Sequence, residues 1–327
     1  MPRTTPCRPP TSGCDTRMTV TTKAAVAVPA AGQPRRRRPA IWPWLAPALL
    51  LLGAFYLVPI LDVVRLAFGD ATLLRDVSGY GMGGVVEVLG QPALPGVLWA
   101  TFVFTTASVL GILALGLIVA LLVVRGETRG LRGIGLLRTI VLTAWVVPGI
   151  ANGLIWQLLF SEAPFGALNS TLGVVGIAPV RWLSDPTNAM ISTVIANVWQ
   201  GTAFAMIVIY AARKGLSDDL FAAAAIDGAG PFARFLFITL PQLRPAVLIV
   251  AILVTIQTLN TFDVILALTG GGPGRTTEVL SLFTFNTVFY NFDLSGGSVL
   301  AIILVSIAFA LTVAYIRILV DRPEGRR

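Results

Sequence analysis

The side chains of this chain that could do chemistry are few, and they fall in two places. Asn197, Gly201 and Phe204 follow an i, i+4, i+7 spacing and so share one face of a helix. Gln257, Thr258, Asn260 and Thr261 fall within about one further helical turn. Amides and hydroxyls with a nearby aromatic face suit a polyhydroxylated ligand, whose hydroxyls need partners and whose C–H surface needs a ring. The same residue types also serve as packing groups between apolar helices, so these six (Asn197, Gly201, Phe204, Gln257, Asn260, Thr261) are candidates for a solute pathway. With no His, the chain lacks imidazole bases and the usual zinc ligand sets. Cys7 and Cys14 lie in a Pro/Thr/Arg-rich leader, where neither a structural disulfide nor a nucleophile is indicated. The Gly270–Thr277 stretch lacks the G-x-x-x-x-G-K-[ST] spacing of a phosphate loop and reads as a turn.

The elements that hold these groups are apolar. Of 327 residues, 55% are hydrophobic and 12% charged, about half the charge of a soluble domain. So little charge cannot clothe a water-facing surface, and the chain is read as an integral membrane protein. Six charge-free stretches, at 39–61, 88–124, 139–161, 186–212, 245–262 and 294–316, approach or exceed the ~20 residues that a spanning helix needs. The fifth continues past Asp263 to Leu268. Barrel strands would be near ten residues with alternating polarity, so the class is all-α, a polytopic bundle of six transmembrane helices. The expected organisation is a disordered basic tail at 1–40, a six-helix domain at 41–320 and a C-terminal tail at 321–327; Met18 is an alternative start.

Lys and Arg placement orients the bundle. With the N-terminus inside, 20 of the 24 basic residues fall on the inner side and only Arg65, Arg75, Arg181 and Arg275 on the outer. Both termini are therefore expected in the cytoplasm. Anionic lipid accounts for the net charge of +8, and no nucleic acid is required.

The inner connection between the fourth and fifth spans carries the most specific pattern. Ser217 can cap a short helix whose first turn holds Asp218 and Asp219; the Ala222–Ala225 run propagates it, and Gly228 with Gly230-Pro231 stops it. This predicts a slim surface rod over 217–230, able to seat in a partner's groove with Phe221 and Ile226 as apolar anchors.

Here the chain resembles the permease subunits of binding-protein-dependent ABC importers, whose signature is E-A-A, three residues, Gly, nine residues, then I-x-L-P. Ala223, Ala224, Gly228, Ile238, Leu240 and Pro241 match it. The string from Ala223 to Ala229, with Phe232, Phe235 and Leu268-Thr269-Gly270-Gly271-Gly272-Pro273, resembles the maltose-type carbohydrate subgroup. The signature Glu is replaced by Ala222, which puts one salt bridge to the partner in doubt; Asp218, Asp219 or Asp227 could substitute.

The resemblance implies a type I importer fold and no catalysis in this chain, with ATP and Mg bound by a partner ATPase. It also implies a second permease, a cytoplasmic ATPase dimer and an extracytoplasmic solute-binding protein as partners. The rod would then couple to the ATPase through Asp218, Asp219, Phe221, Ala222, Ala223, Ala224, Ile226, Asp227, Gly228 and Pro241, and solute contacts would come from the fourth and fifth spans. An ion-coupled secondary transporter using Asp263 or Asp62 is the alternative.

Overall fold

A computed structural model describes residues 42–164 and 166–320. The expected tails at 1–40 and 321–327 lie outside them. The chain divides into two units at Leu51/Leu52, and the first contributes only the start of one helix, α1 (Trp42–Leu52). Thirteen further helices follow in the second unit: α2 (Val58–Ala67), α3 (Gly83–Leu89), α4 (Leu94–Thr128), α5 (Ile134–Val146), α6 (Gly149–Leu159), α7 (Ala167–Val174), α8 (Pro186–Lys214), α9 (Asp218–Ile226), α10 (Pro231–Arg234), α11 (Leu240–Asn260), α12 (Asp263–Leu268), α13 (Leu280–Phe289) and α14 (Leu294–Val320). Wider π-type turns occupy Gly53–Leu57 and Phe235–Thr239. Among the described residues no strand forms, in keeping with the all-α expectation.

Five helical runs are long and apolar enough to cross a membrane: Leu45–Ala67, Leu94–Thr128, Pro186–Lys214, Pro231–Asn260 and Leu294–Ile318. The third expected span departs from the reading. It is not one rod over 139–161 but α5 and α6, bent by 110° at Val147–Pro148. Pro148 has no N–H to donate and disfavours helical geometry at the residue before it; Val147 is accordingly extended, with ψ 124°. The fifth span also differs. It starts at Pro231, ahead of the first expected charge-free residue, and stops at Asn260, where Thr261 turns extended; α12 is a separate helix. The connections expected on the outer side, near 69–96, 162–188 and 269–293, contain helices of their own, α3, α7 and α13.

The centre of the bundle is the pair α4 and α8. Asp185 caps α8, its carboxylate accepting from Thr187 N and Asn188 N at 3.0 Å each, and Pro186 opens the helix where a missing N–H costs nothing. Gly116 permits the close approach of α4, since a Cβ there would collide with the Ala205 methyl. Val109, Ile112, Ala120, Val198, Ala205, Met206, Ile209, Leu243, Val250 and Val254 form one buried cluster across α4, α8 and α11.

Hydrogen bonds show which connections share an end. Leu73 N donates to Phe292 O (3.0 Å) and Ser295 N to Ala71 O (3.1 Å), joining two expected outer loops. At the other end Lys214 Nζ lies 3.1 Å from Glu127 Oε2, and the Tyr210 hydroxyl donates to the same carboxylate at 2.9 Å, so α4 and α8 finish side by side. Two turns, near Asp70 and Glu162, close on carboxylates. Asp70 accepts from the Ser78 hydroxyl (2.5 Å), Gly79 N (2.9 Å) and Ser78 N (2.7 Å), which lowers its carboxyl to about 2. Burial pushes Glu162 up, but Leu183 N, Ser184 N and the Ser184 hydroxyl outweigh it and leave its carboxyl below the usual range.

Candidate functional site

The two helix breaks meet at one cavity. About 210 Å³ in volume, it is lined by Ile112 of α4, Trp145 of α5, Asn197, Gln200 and Gly201 of α8, Val254, Gln257 and Thr258 of α11, Thr261, and Asp263 of α12. Four of the six expected pathway residues, Asn197, Gly201, Gln257 and Thr261, are therefore brought together. Phe204 stands behind the wall, its ring 6.2 Å from that of Trp145. Asn260 does not line the cavity; it is exposed and donates to Ile256 O within its own helix (2.8 Å), as expected of the last residue of α11, whose direction changes at Thr261.

The wall is held by side-chain amides. Gln200 Nε2 donates to Val147 O (2.8 Å), the carbonyl freed at the α5–α6 break, and Asn152 Nδ2 donates to Gln200 Oε1 (2.9 Å) and Ala196 O (3.2 Å). Non-helical backbone at membrane depth is tolerated only where such groups satisfy it or a cavity wets it. Asn197 is different: buried, it has no partner for Nδ2. An orphaned buried amide costs about 1–3 kcal/mol, so Asn197 is the residue of this wall whose side chain would gain by turning its amide to an acceptor in the cavity.

Sequence reasoning missed Trp145, Gln200 and the position of Asp263. Gln200 lies at i+3 from Asn197 and would have appeared had the helical face been widened to i+3 neighbours. The signal for Trp145 was Pro148, three residues on in a charge-free run. Trp156 stacks on Phe160 (5.1 Å) and meets Trp199 edge-on (6.0 Å), which is packing. Asp62 lies away from the cavity, exposed and 3.4 Å from Arg65.

The second expected site is α9. Ser217 caps it, accepting from Asp219 N at 3.2 Å, with Asp218 and Asp219 in its first turn; Gly228, beyond its end, takes φ +75°, which a side chain would resist. Asp219, Ala222, Ala223 and Ile226 are all exposed and fall at i, i+3, i+4 and i+7, one face turned away from the bundle. Asp218 and Asp227 are exposed beside it, as is Pro241 at the foot of α11. Ala224 is buried on the opposite side. Phe221 departs from the anchor role expected of it: its ring lies under the Arg213 guanidinium of α8, 4.0 Å from carbon to centroid. Ile226, 87% exposed, and Leu220, 43% exposed, are the large apolar residues that α9 does present.

Residues 112–323 match the family described as binding-protein-dependent transport system inner membrane component. The chain belongs to this family. Among relatives of this permease, the trehalose/maltose transport system permease protein of Thermococcus litoralis is 34% identical over 276 residues, covering 84% of this chain and 91% of that protein. The lactose transport system permease protein of Rhizobium radiobacter is 32% identical over 284 residues, covering 85% and 89%. A chain from the crystal structure of a bacterial ABC transporter that imports the acidic polysaccharide alginate shares the permease's fold, with a TM-score of 0.74 at 18% identity, covering 86% of this chain and 96% of that one. Its kin are named as permeases rather than enzymes, and the ion-coupled carrier finds no support among them. The permease is a multi-pass membrane protein of the inner-membrane family.

Proposed function

We propose that this permease carries a carbohydrate or similar polyhydroxylated solute into the cytoplasm, driven by ATP hydrolysis in a separate ATPase dimer. The observation that carries the reading is the cavity at the paired breaks, where the Asn197 amide stands unpartnered among Gln200, Gln257, Thr258 and Thr261. Its relatives' named sugars supply the solute class. ATP and Mg bind the partner, and this chain contributes only the exposed face of α9, whose small residues let it sit close in a groove. Asp219 and Asp227 flank that face and take the place of the missing signature carboxylate at Ala222. A second permease completes the pathway, and an extracytoplasmic binding protein delivers solute to the end carrying α3, α7 and α13. Both termini face the cytoplasm, on the charge distribution of the connections, and membrane lipid covers the apolar rim.

The test is purification of the intact complex, with its co-isolated ATPase and binding protein, and reconstitution into liposomes. ATP-dependent uptake of radiolabelled trehalose, maltose or lactose with the binding protein present is the expected result. Failure to recover any ATPase with the chain, together with crosslinks from Ile226 that reach only lipid, would overturn the proposal.

A further inference from the structure

Among the described residues, the carboxylate of Asp263 is the only ionisable group on the cavity wall. It stands against Gly149 at the first turn of α6, where any Cβ would run into it. Its Oδ1 accepts from Val264 N at 2.9 Å. Among the described residues no Lys or Arg nitrogen comes within 4 Å of it. Across the same cavity Asn197, 7% exposed, carries the Nδ2 that has no partner. The wall thus pairs one acceptor-only anion with amide donors and offers no cation. A carboxylate can accept from two neighbouring hydroxyls at once, whereas an anionic substituent would meet a like charge in a site partly shielded from water.

Resting on the pathway reading above, we infer that Asp263 sets the charge class of the solute at this wall: neutral and amino-bearing sugars are admitted, and carboxylated, sulfonated or phosphorylated ones are repelled.

The test reads the field in the cavity without knowing the solute. In the assembled transporter, with Cys7 and Cys14 replaced by Ser, a Thr261→Cys variant is labelled during ATP turnover with a cationic and an anionic methanethiosulfonate. Relative to the same two reagents on a small free thiol, the cationic one is expected to react faster by on the order of tenfold. Asp263→Asn should bring that preference close to one, and Asp263→Glu should keep it. Equal rates, or a preference that Asp263→Asn leaves intact, would sink the inference while leaving the pathway standing. If neither reagent labels position 261 while a Leu74→Cys control on the outer loop labels readily, the cavity is closed to water and the pathway reading falls too.

Discussion

The Arg213 guanidinium sits over the Phe221 ring at 4.0 Å, clamping the last turn of α8 to the first turns of α9. Beside it, Lys214 and Tyr210 hold Glu127 at the end of α4. The surface rod is therefore fastened to the two central helices through adjacent residues of one chain segment, and a push on α9 reaches both.

That fastening predicts partial uncoupling when it is loosened. Phe221→Ala removes a contact worth roughly 0.5–1 kcal/mol at a half-exposed site. ATP hydrolysis should continue, while solute moved per ATP falls severalfold in proteoliposomes. An unchanged stoichiometry would show that the clamp transmits nothing.

Ala224→Pro places a ring in the interior of a nine-residue helix, at a cost of about 3 kcal/mol. Transport and stimulated ATP hydrolysis should both be lost, with membrane insertion intact by protease protection of the vesicles. Ile226→Asp, on the exposed face, should instead reduce recovery of the ATPase with the chain and leave the helix formed.

Gly201 lies where an added Cβ would meet the Ile112 side chain on the cavity wall. Gly201→Leu should cut uptake at least tenfold, with the variant still reaching the membrane in normal amount, as quantified by immunoblot. Asn152→Leu removes two hydrogen bonds and leaves Gln200 short of a partner. A loss of roughly 1–3 kcal/mol follows, lowering the unfolding midpoint in detergent.

Acid should open the turn at 69–81 within a narrow range. The Asp70 carboxyl is held down from 3.8 to about 2 by Ser78 and Gly79, so its contribution is complete above pH 3.8 and is lost as the pH falls through 2. Amide exchange at Ser78 and Gly79 should stay protected at pH 4.5 and rise on approach to pH 2, after correction for the intrinsic rate. In Asp70→Ala that protection is missing at both.

The class, most spans and the short helix after Ser217 were legible because they follow from local properties: charge-free length, the Ser217 cap, the Asp218–Asp219 first turn and the Gly228 stop. The direction of the chain was not. A count of uncharged residues over 139–161 returns the same answer for a straight helix and for one folded back on itself, and only Pro148 within it marks the difference. Asp263 was hidden for the same reason. Treated as the trailing end of a span it looks interfacial, and only the break at Thr261 brings it against Gly149 and onto the cavity that Asn197 also lines. Phe221 was assigned outward because its apolar character is local, whereas Arg213, the residue that draws it inward, belongs to another helix.

Gln200 grips the carbonyl at the elbow between α5 and α6, and Lys214 ends the same helix 14 residues later, about 21 Å away. A stiff strut thus runs from the Glu127–Lys214 contact to the broken segment at Val147, with one hand on each. On the transport function proposed above, tilting it a few degrees at its foot would reshape the cavity and swing the elbow in one motion, with no separate relay between engine and cargo.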